Sequence, residues 1–384
     1  FPLKNSFEAA DDIASAANPM IRFLKVPHIR LDTPTNDIRG NWTDSAPATV
    51  SNISAVAYYF ARDLQAILHV PIGIIESDWG GTPAEAWMDY NSLHDNPHWE
   101  NEVIKEWAVQ ESRYQQSLEA FENEKHQAKE NNTEFSKKPP GRPWKPAELY
   151  NGMIAPLVPY GIKGVIWYQG ENNAGSLDRG EQYHKLFPDL IRDWRSLWGE
   201  GDFPFLLVQL APFMDIQQQP GQSSWASLRE AQLDSTKVLP NVGMAVITDI
   251  GMEHNVHPTK KKPVGERLAV AALAIAYHKP IEYSGPAYKG MSIEGSHIVV
   301  TFDHVGGALV ARDGDLTGFA IAGADEKFHW AVARIEGLDQ VIVYSPEVQN
   351  PVAVRFGWAN YPVVNLWSKA GLPASPFRTD DFAK

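Results

Sequence analysis

Over the first two thirds of the chain, short apolar runs alternate with longer stretches of helical periodicity. Pro71–Ile75 (PIGII), Gly164–Tyr168 (GVIWY), Pro204–Leu210 (PFLLVQL) and Gly243–Thr248 (GMAVIT) are each bounded by turn residues and apolar at successive positions. That is the pattern of strands buried on both faces of a parallel sheet. Between them, Ser54–Leu68, Gln182–Trp198 and Ser227–Thr236 read as helices. Strand and helix therefore alternate, and the sheet is expected to carry helices on both faces. From Tyr283 onward the period shortens to two, as in His297–Phe302 (HIVVTF) and Gln340–Tyr344 (QVIVY), which predicts an antiparallel, sandwich-like module. The expected division is an α/β domain over 1–280 and a β-rich module over 281–384. Residues 101–140 stand apart. They are rich in Glu, Lys, Gln and Asn and contain no glycine before Gly141, and they read as a solvated helical insertion ending at Pro139-Pro140.

Composition narrows the function. At 384 residues and 43% hydrophobic, the chain can bury a substantial core. A net charge of −13 argues against nucleic acid and against an anionic membrane surface, both of which need a basic face. No apolar run reaches the ~18 residues of a membrane-spanning helix. The absence of cysteine excludes disulfides, thiolate zinc sites and a thiol nucleophile. It is compatible with an exported protein, and the expected location is secreted or periplasmic.

In an open parallel sheet the chemistry lies at the carboxyl ends of the strands, and three such ends carry polar groups here. The first is Glu76-Ser77-Asp78-Trp79-Gly80-Gly81-Thr82, where paired glycines can bring backbone N–H donors to a ligand. The second is Gln169-Gly170-Glu171-Asn172-Asn173, amides and a carboxylate that need partners once buried. The third runs from Asp249 to Pro258 with His254 and His257. A histidine oriented by a carboxylate is the usual general base at neutral pH. The rival reading of this segment is a zinc site made by Asp249, Glu253, His254 and His257.

The order of these blocks resembles the sialate O-acetylesterases. Trp79-Gly80-Gly81-Thr82-Pro83-Ala84-Glu85-Ala86-Trp87, Gly164 to Asn173, the Trp225 to Gln232 helix, Asp249 to Ala269 and Gly371 to Asp380 are similar to blocks of that family, in the same order along nearly the whole chain. The resemblance implies a flavodoxin-like three-layer α/β/α domain of the SGNH hydrolase group, with the antiparallel module behind it. It implies removal of O-acetyl esters from sialic acid or related glycans with no metal or organic cofactor. By the same resemblance His257 is the general base, Gly80, Gly81, Gln169 and Asn172 bind substrate or the oxyanion, and Asp249 or Glu171 orients the histidine. Two departures stand out. Asn255 occupies a position where many relatives have Asp. The family's nucleophilic serine belongs to a G-Q-S-N-M block placed just ahead of a segment like Phe1-Pro2-Leu3, so the serine is expected from an N-terminal fragment of the same gene product that also supplies the first strand. Gly221-Gln222-Ser223 lies in a polar loop and reads as a chance match. The alternative to an esterase is a catalytically dead protein that binds acetylated glycan.

Overall fold

The computed structural model describes residues 1–382. Six strands build the α/β part: β1 (Asn18–Lys25), β2 (Trp42–Ser45), β3 (Ile72–Glu76), β4 (Val165–Trp167), β5 (Phe205–Val208) and β6 (Val242–Ala245). They form two three-stranded groups, in the orders β2-β1-β3 and β4-β5-β6. Every pairing is parallel except β1 with β2. Alternation along β5 sends Phe205 and Leu207 into one core, with Phe187, Leu190 and Leu228. It sends Leu206 and Val208 into the other, with Tyr59, Leu64 and Leu268. The helices Leu177–Trp198 and Ser224–Val238 thus cover one face, and Ala55–Leu68 and Lys262–Ile275 the other. β5 and β6 are buried at every residue. β3 and β4 are not: Ile74, Ile75, Val165 and Ile166 stay half-buried and Gly73 is exposed.

The connection from β3 to β4 holds the charged segment. Its helix, Glu106–Glu130, buries none of its residues, and its cohesion comes from its own surface, for example Gln115 donating to Glu111 at 2.7 Å. No helix among the described residues is long and apolar enough to cross a membrane.

Beyond residue 286 the strands are short and antiparallel. Ala287–Glu294, His297–Asp303, Gln340–Tyr344 and Val332–Glu336 make one sheet, and Phe328–Trp330, Phe319–Ala322, Ala353–Phe356 and Phe377–Arg378 another. Both contribute to a third core around Val300, Ile321, Val343 and Phe356. This part is joined to the sheet by Arg229, which is fully buried and has no carboxylate partner among the described residues. Its guanidinium donates to the carbonyls of Leu210 (2.7 Å), Ala211 (3.1 Å), Ala359 (2.7 Å) and Asn360 (2.9 Å). Burial without a counter-charge lowers its pKa to about 9.

The helix Lys262–Ile275 lies against Ala55–Leu68 so closely that only glycine fits at the crossing. A Cβ on Gly265 would stand 2.6 Å from Tyr59 Cβ and 2.8 Å from both Phe60 N and Val56 O. Gly265→Ala is expected to cost about 1–3 kcal/mol by forcing the two helices apart. Gly290→Ala, where a Cβ meets nothing within 4 Å, is the control. A thermal melt in which the two variants unfold together would refute this packing.

Candidate active site

Three loops meet at the carboxyl ends of β3, β4 and β6. The first begins at Glu76, whose buried carboxylate accepts from Lys25 Nζ at 3.0 Å and from the backbone N–H of Ser54 at 2.9 Å. Burial, with Asp78 beside it, pushes its pKa up. Gly80 and Gly81 then form an exposed turn. Gly81 has φ +75°, a left-handed conformation that a side chain would strain. A Cβ at either glycine would meet nothing within 4 Å, so the backbone here is open to a ligand.

The second loop follows β4 and is locked to the first. Asn173 is completely buried. Its Oδ1 accepts from Ala84 N at 2.9 Å and from Gln169 Nε2 at 2.7 Å, and its Nδ2 donates to Glu85 Oε2 at 3.0 Å. Gln169 Nε2 also donates to Thr82 O at 3.0 Å, and Tyr183 donates to Gln169 Oε1 at 2.8 Å. Both amide hydrogens of Gln169 are therefore engaged inside the protein, so this side chain holds the glycine turn in place and offers no donor to an oxyanion. Asn172 is exposed and donates to Gly81 O at 3.0 Å, and its second N–H remains beyond that bond. Glu171, on the same turn, is half-buried. Low-polarity surroundings raise its pKa, while the charges of His257 and Lys261 and nearby backbone amides pull it down.

The third loop carries His257, whose ring is exposed. Asn255 shapes the backbone here, its Oδ1 accepting from His257 N at 3.0 Å. No carboxylate oxygen among the described residues lies within 4.0 Å of the His257 ring nitrogens. Glu171 is close enough for the charge of the imidazole to act on it. Asp249 is drawn elsewhere. Both of its oxygens accept from Arg267, at 2.6 and 2.8 Å, and Arg267 also donates to Val246 O at 2.8 Å. The structure thus gathers Gly80, Gly81, Gln169, Glu171, Asn172 and His257, and ties Asp249 to the helix Lys262–Ile275. The rival zinc set disperses in the same way: His254 lies 3.6 Å from Asp215, and Glu253 accepts from Ile216 N at 3.2 Å. Ser223 of the G-Q-S sequence is a buried helix cap that accepts from Ala226 N at 2.9 Å and donates to Asn360 Oδ1 at 2.6 Å. Among the described residues, potential metal ligands cluster at Glu181, His184 and Glu230, away from these loops. There the Arg378 guanidinium, 2.8 Å from Glu230 and 3.5 Å from Glu181, already supplies the positive charge.

Sequence reasoning did not single out two features of the site. The first is Lys261, only 3% exposed, with its ammonium 4.9 Å from the Phe1 ring centroid and 4.8 Å from that of Tyr168. It stands in a block already noted, but nothing in the local pattern marks a lysine for burial. The second is an aromatic wall beside Gly80. His28 stacks on Trp79 at 4.3 Å, Trp144 meets Trp79 edge-on at 5.4 Å, and Arg30 lies 3.7 Å over Trp144. Its members come from three distant parts of the chain, so no sequence window contains them.

Burial lowers the Lys261 pKa from 10.5 to about 8, and Glu171 opposes that shift. Between those two values the unfolded chain binds the proton that the folded chain has released, so folding stability contributed by this group rises with pH across that window. Lys261→Met should flatten the rise, by on the order of 2 kcal/mol between pH 8 and 10.5. Denaturant titrations of both proteins at those two pH values measure it, and parallel stability curves would contradict the assignment.

The similarity to known proteins extends over nearly the whole chain. A family model described as "Carbohydrate esterase, sialic acid-specific acetylesterase" matches residues 138–274. The sialate O-acetylesterase of Mus musculus is 26% identical over 97% of this chain and 73% of its own length. That of Homo sapiens is 26% identical over 97% of this chain and 71% of its own. A crystal structure of a carbohydrate acetylesterase from Xanthomonas citri superposes with a TM-score of 0.83 at 40% identity, over 100% of this chain and 78% of that one. Alike in sequence and fold from end to end, the chain belongs to the sialate O-acetylesterase family of carbohydrate esterases.

Proposed function

We propose that this chain is the body of a flavodoxin-like, SGNH-type carbohydrate O-acetylesterase that removes acetyl groups from sialic acid or related acetylated glycans by serine acyl transfer. The serine comes from polypeptide leading into Phe1. The observation that carries the reading is the convergence of the open Gly80–Gly81 turn, the Glu171–Asn172 turn and the His257 loop on one strand-end surface, with Asn172 bonded to Gly81.

In this reading the serine hydroxyl attacks the acetyl carbonyl while His257 accepts its proton. The carbonyl electrons move to oxygen, and that oxyanion is held by the backbone N–H groups of the Gly80–Gly81 turn and by the free amide hydrogen of Asn172. Collapse of the intermediate expels the sugar alkoxide, which takes the proton from His257. Water, deprotonated by the same histidine, then attacks the acetyl-serine and releases acetate. Glu171 steadies the imidazolium by charge: a half-buried carboxylate gains more from that cation than an exposed one would. The Trp79–Trp144 wall beside Gly80 supports a sugar substrate, since aromatic faces offer a flat apolar surface with polar edges.

Acetate release from an acetylated glycan, catalysed by the chain extended ahead of Phe1 with the family's serine block, tests the reading. Binding of that glycan without acetate release would shift the assignment to a binding protein. In the active form His257→Ala should lower kcat by about 1,000-fold or more with an unchanged melt, because the ring is exposed.

Glu171 and Asp249 should separate in their effects. Glu171→Gln should lower kcat with little loss of stability, since it removes a charge that folding has already desolvated. Asp249→Ala leaves Arg267 without its partner and should cost on the order of 2 kcal/mol of stability, with kcat of the folded fraction largely kept. Chemical denaturation and single-turnover acetate assays on both variants distinguish the roles. A larger kcat loss in Asp249→Ala would return the orienting role to Asp249.

A further inference from the structure

Beyond Asn172 the site opens into a cavity that the mechanism does not use. It holds about 250 Å³, space for roughly one sugar ring and less than the pocket of a drug-sized ligand. Two of its walls already belong to the site: Asn172 on the turn after β4, and Trp144 of the aromatic wall beside Gly80. A further wall is the base of the helix Glu106–Glu130, through Glu106, Trp107 and Gln110. The charged insertion, whose helix buries none of its residues, thus bounds a cavity that begins at the oxyanion amide.

Polar contacts fix the lining in place. One oxygen of Glu85 accepts from Asn173 at 3.0 Å and the other from Arg179 at 2.6 Å. Arg179 also donates to Gln182 Oε1 at 2.5 Å, and Gln182 Nε2 donates to Glu102 Oε2 at 3.2 Å. Glu85, Arg179 and Glu102 all border the cavity, so the amide network of the active-site loops runs on to the base of the insertion. The two indoles are held as well: Arg30 lies 3.7 Å over Trp144, and Lys145 Nζ is 5.6 Å from the Trp107 ring centroid. Walls fixed in advance lower the ordering cost of binding.

Charge selects the ligand. Glu85, Glu102 and Glu106 border the cavity together with one cation, Arg179, so its surplus is negative and a carboxylate or phosphate is repelled. Hydroxyl groups are not repelled, since they donate to carboxylates and accept from a guanidinium. The flat apolar face of a sugar ring packs on an indole.

We propose that this cavity is an outer subsite for one neutral sugar unit linked to the acetylated one. The enzyme is therefore selective for acetylated oligosaccharides over acetylated monosaccharides, with Trp107 and Glu106 of the insertion setting the preference. The proposal rests on the esterase reading for the acetyl transfer, whereas the subsite itself can be read by binding without turnover. Binding energy from the linked sugar acts at the reacting end, so the preference is expected in kcat/KM.

The test compares esters on the full-length protein. One series is O-acetylated sialic acid alone, joined to lactose as a neutral neighbour, and joined to a second sialic acid as an anionic neighbour. Acetylated methyl xyloside and acetylated xylotriose form the other. In at least one series the ester with a neutral neighbour should exceed the monosaccharide ester about tenfold in kcat/KM, and the anionic dimer should show no such gain. Trp107→Ala should bring that ratio close to unity, while Val109→Ala on the same helix, at a position 49% exposed, should keep it. Equal kcat/KM for single and linked sugars in both series overturns the subsite and leaves the esterase reading standing. An equal loss for both kinds of ester in Trp107→Ala also overturns it, because that marks a structural role. A gain for the anionic dimer matching that of the lactose conjugate overturns the neutral class. No acetate from any ester sinks the esterase reading instead, and calorimetric titration with lactose and xylotriose then decides the subsite alone. A Kd that Trp107→Ala weakens about tenfold keeps it, and an unchanged Kd or no binding removes it.

Discussion

The requirement that buried amides be paired holds the active-site end of this protein together. Asn173 has no solvent contact and can be satisfied only by groups from both loops: the Ala84 N–H and Glu85 carboxylate on one side and Gln169 on the other. Each such bond left unmade in a buried setting costs about 1–3 kcal/mol, so the two loops move together. This matters because the strands beneath them, β3 and β4, do not touch through a backbone ladder. The amide network therefore sets their separation at the catalytic end, and it also fixes the glycine turn that any oxyanion must approach.

The sequence made legible what is periodic or contiguous. Four central strands, the helices between them and the strand-end polar blocks all appear as local patterns. β1 was not read, although Ile21 and Phe23 are buried, because half of that strand faces solvent or the short antiparallel partner at Trp42, and its alternation is broken by Pro19 and Leu24. Side-chain assignments were less legible than elements. Asp249 and Glu171 are equal candidates as residue types, and what separates them is Arg267, 18 residues along the chain, which occupies both oxygens of Asp249. Gln169 stood among the oxyanion candidates because it follows a strand. The partners that engage it, Thr82 and Tyr183, come from other elements.

The electrostatics of the site follow from placing one carboxylate near a buried ammonium and an exposed imidazole. Glu171 is pushed up by its surroundings and Lys261 down, and each opposes the other's shift. Glu171 and Lys261 sit where screening is weak, whereas a fully exposed pair would be nearly indifferent to each other. Here a change in charge on His257 is felt by Glu171 without a hydrogen bond between them, so the site can respond to proton transfer while its backbone stays fixed.

Arg229 has a consequence for anyone who would shorten this protein. Two of its four acceptors, Ala359 and Asn360, belong to the β-rich part, and Ser375 from the same part binds Gln209 at the end of β5. Cutting near residue 281 to obtain a minimal esterase would strip a buried guanidinium of half its carbonyls and open a polar cavity under the sheet. The β-rich part works as a keystone, and a useful truncation would need Arg229 redesigned first.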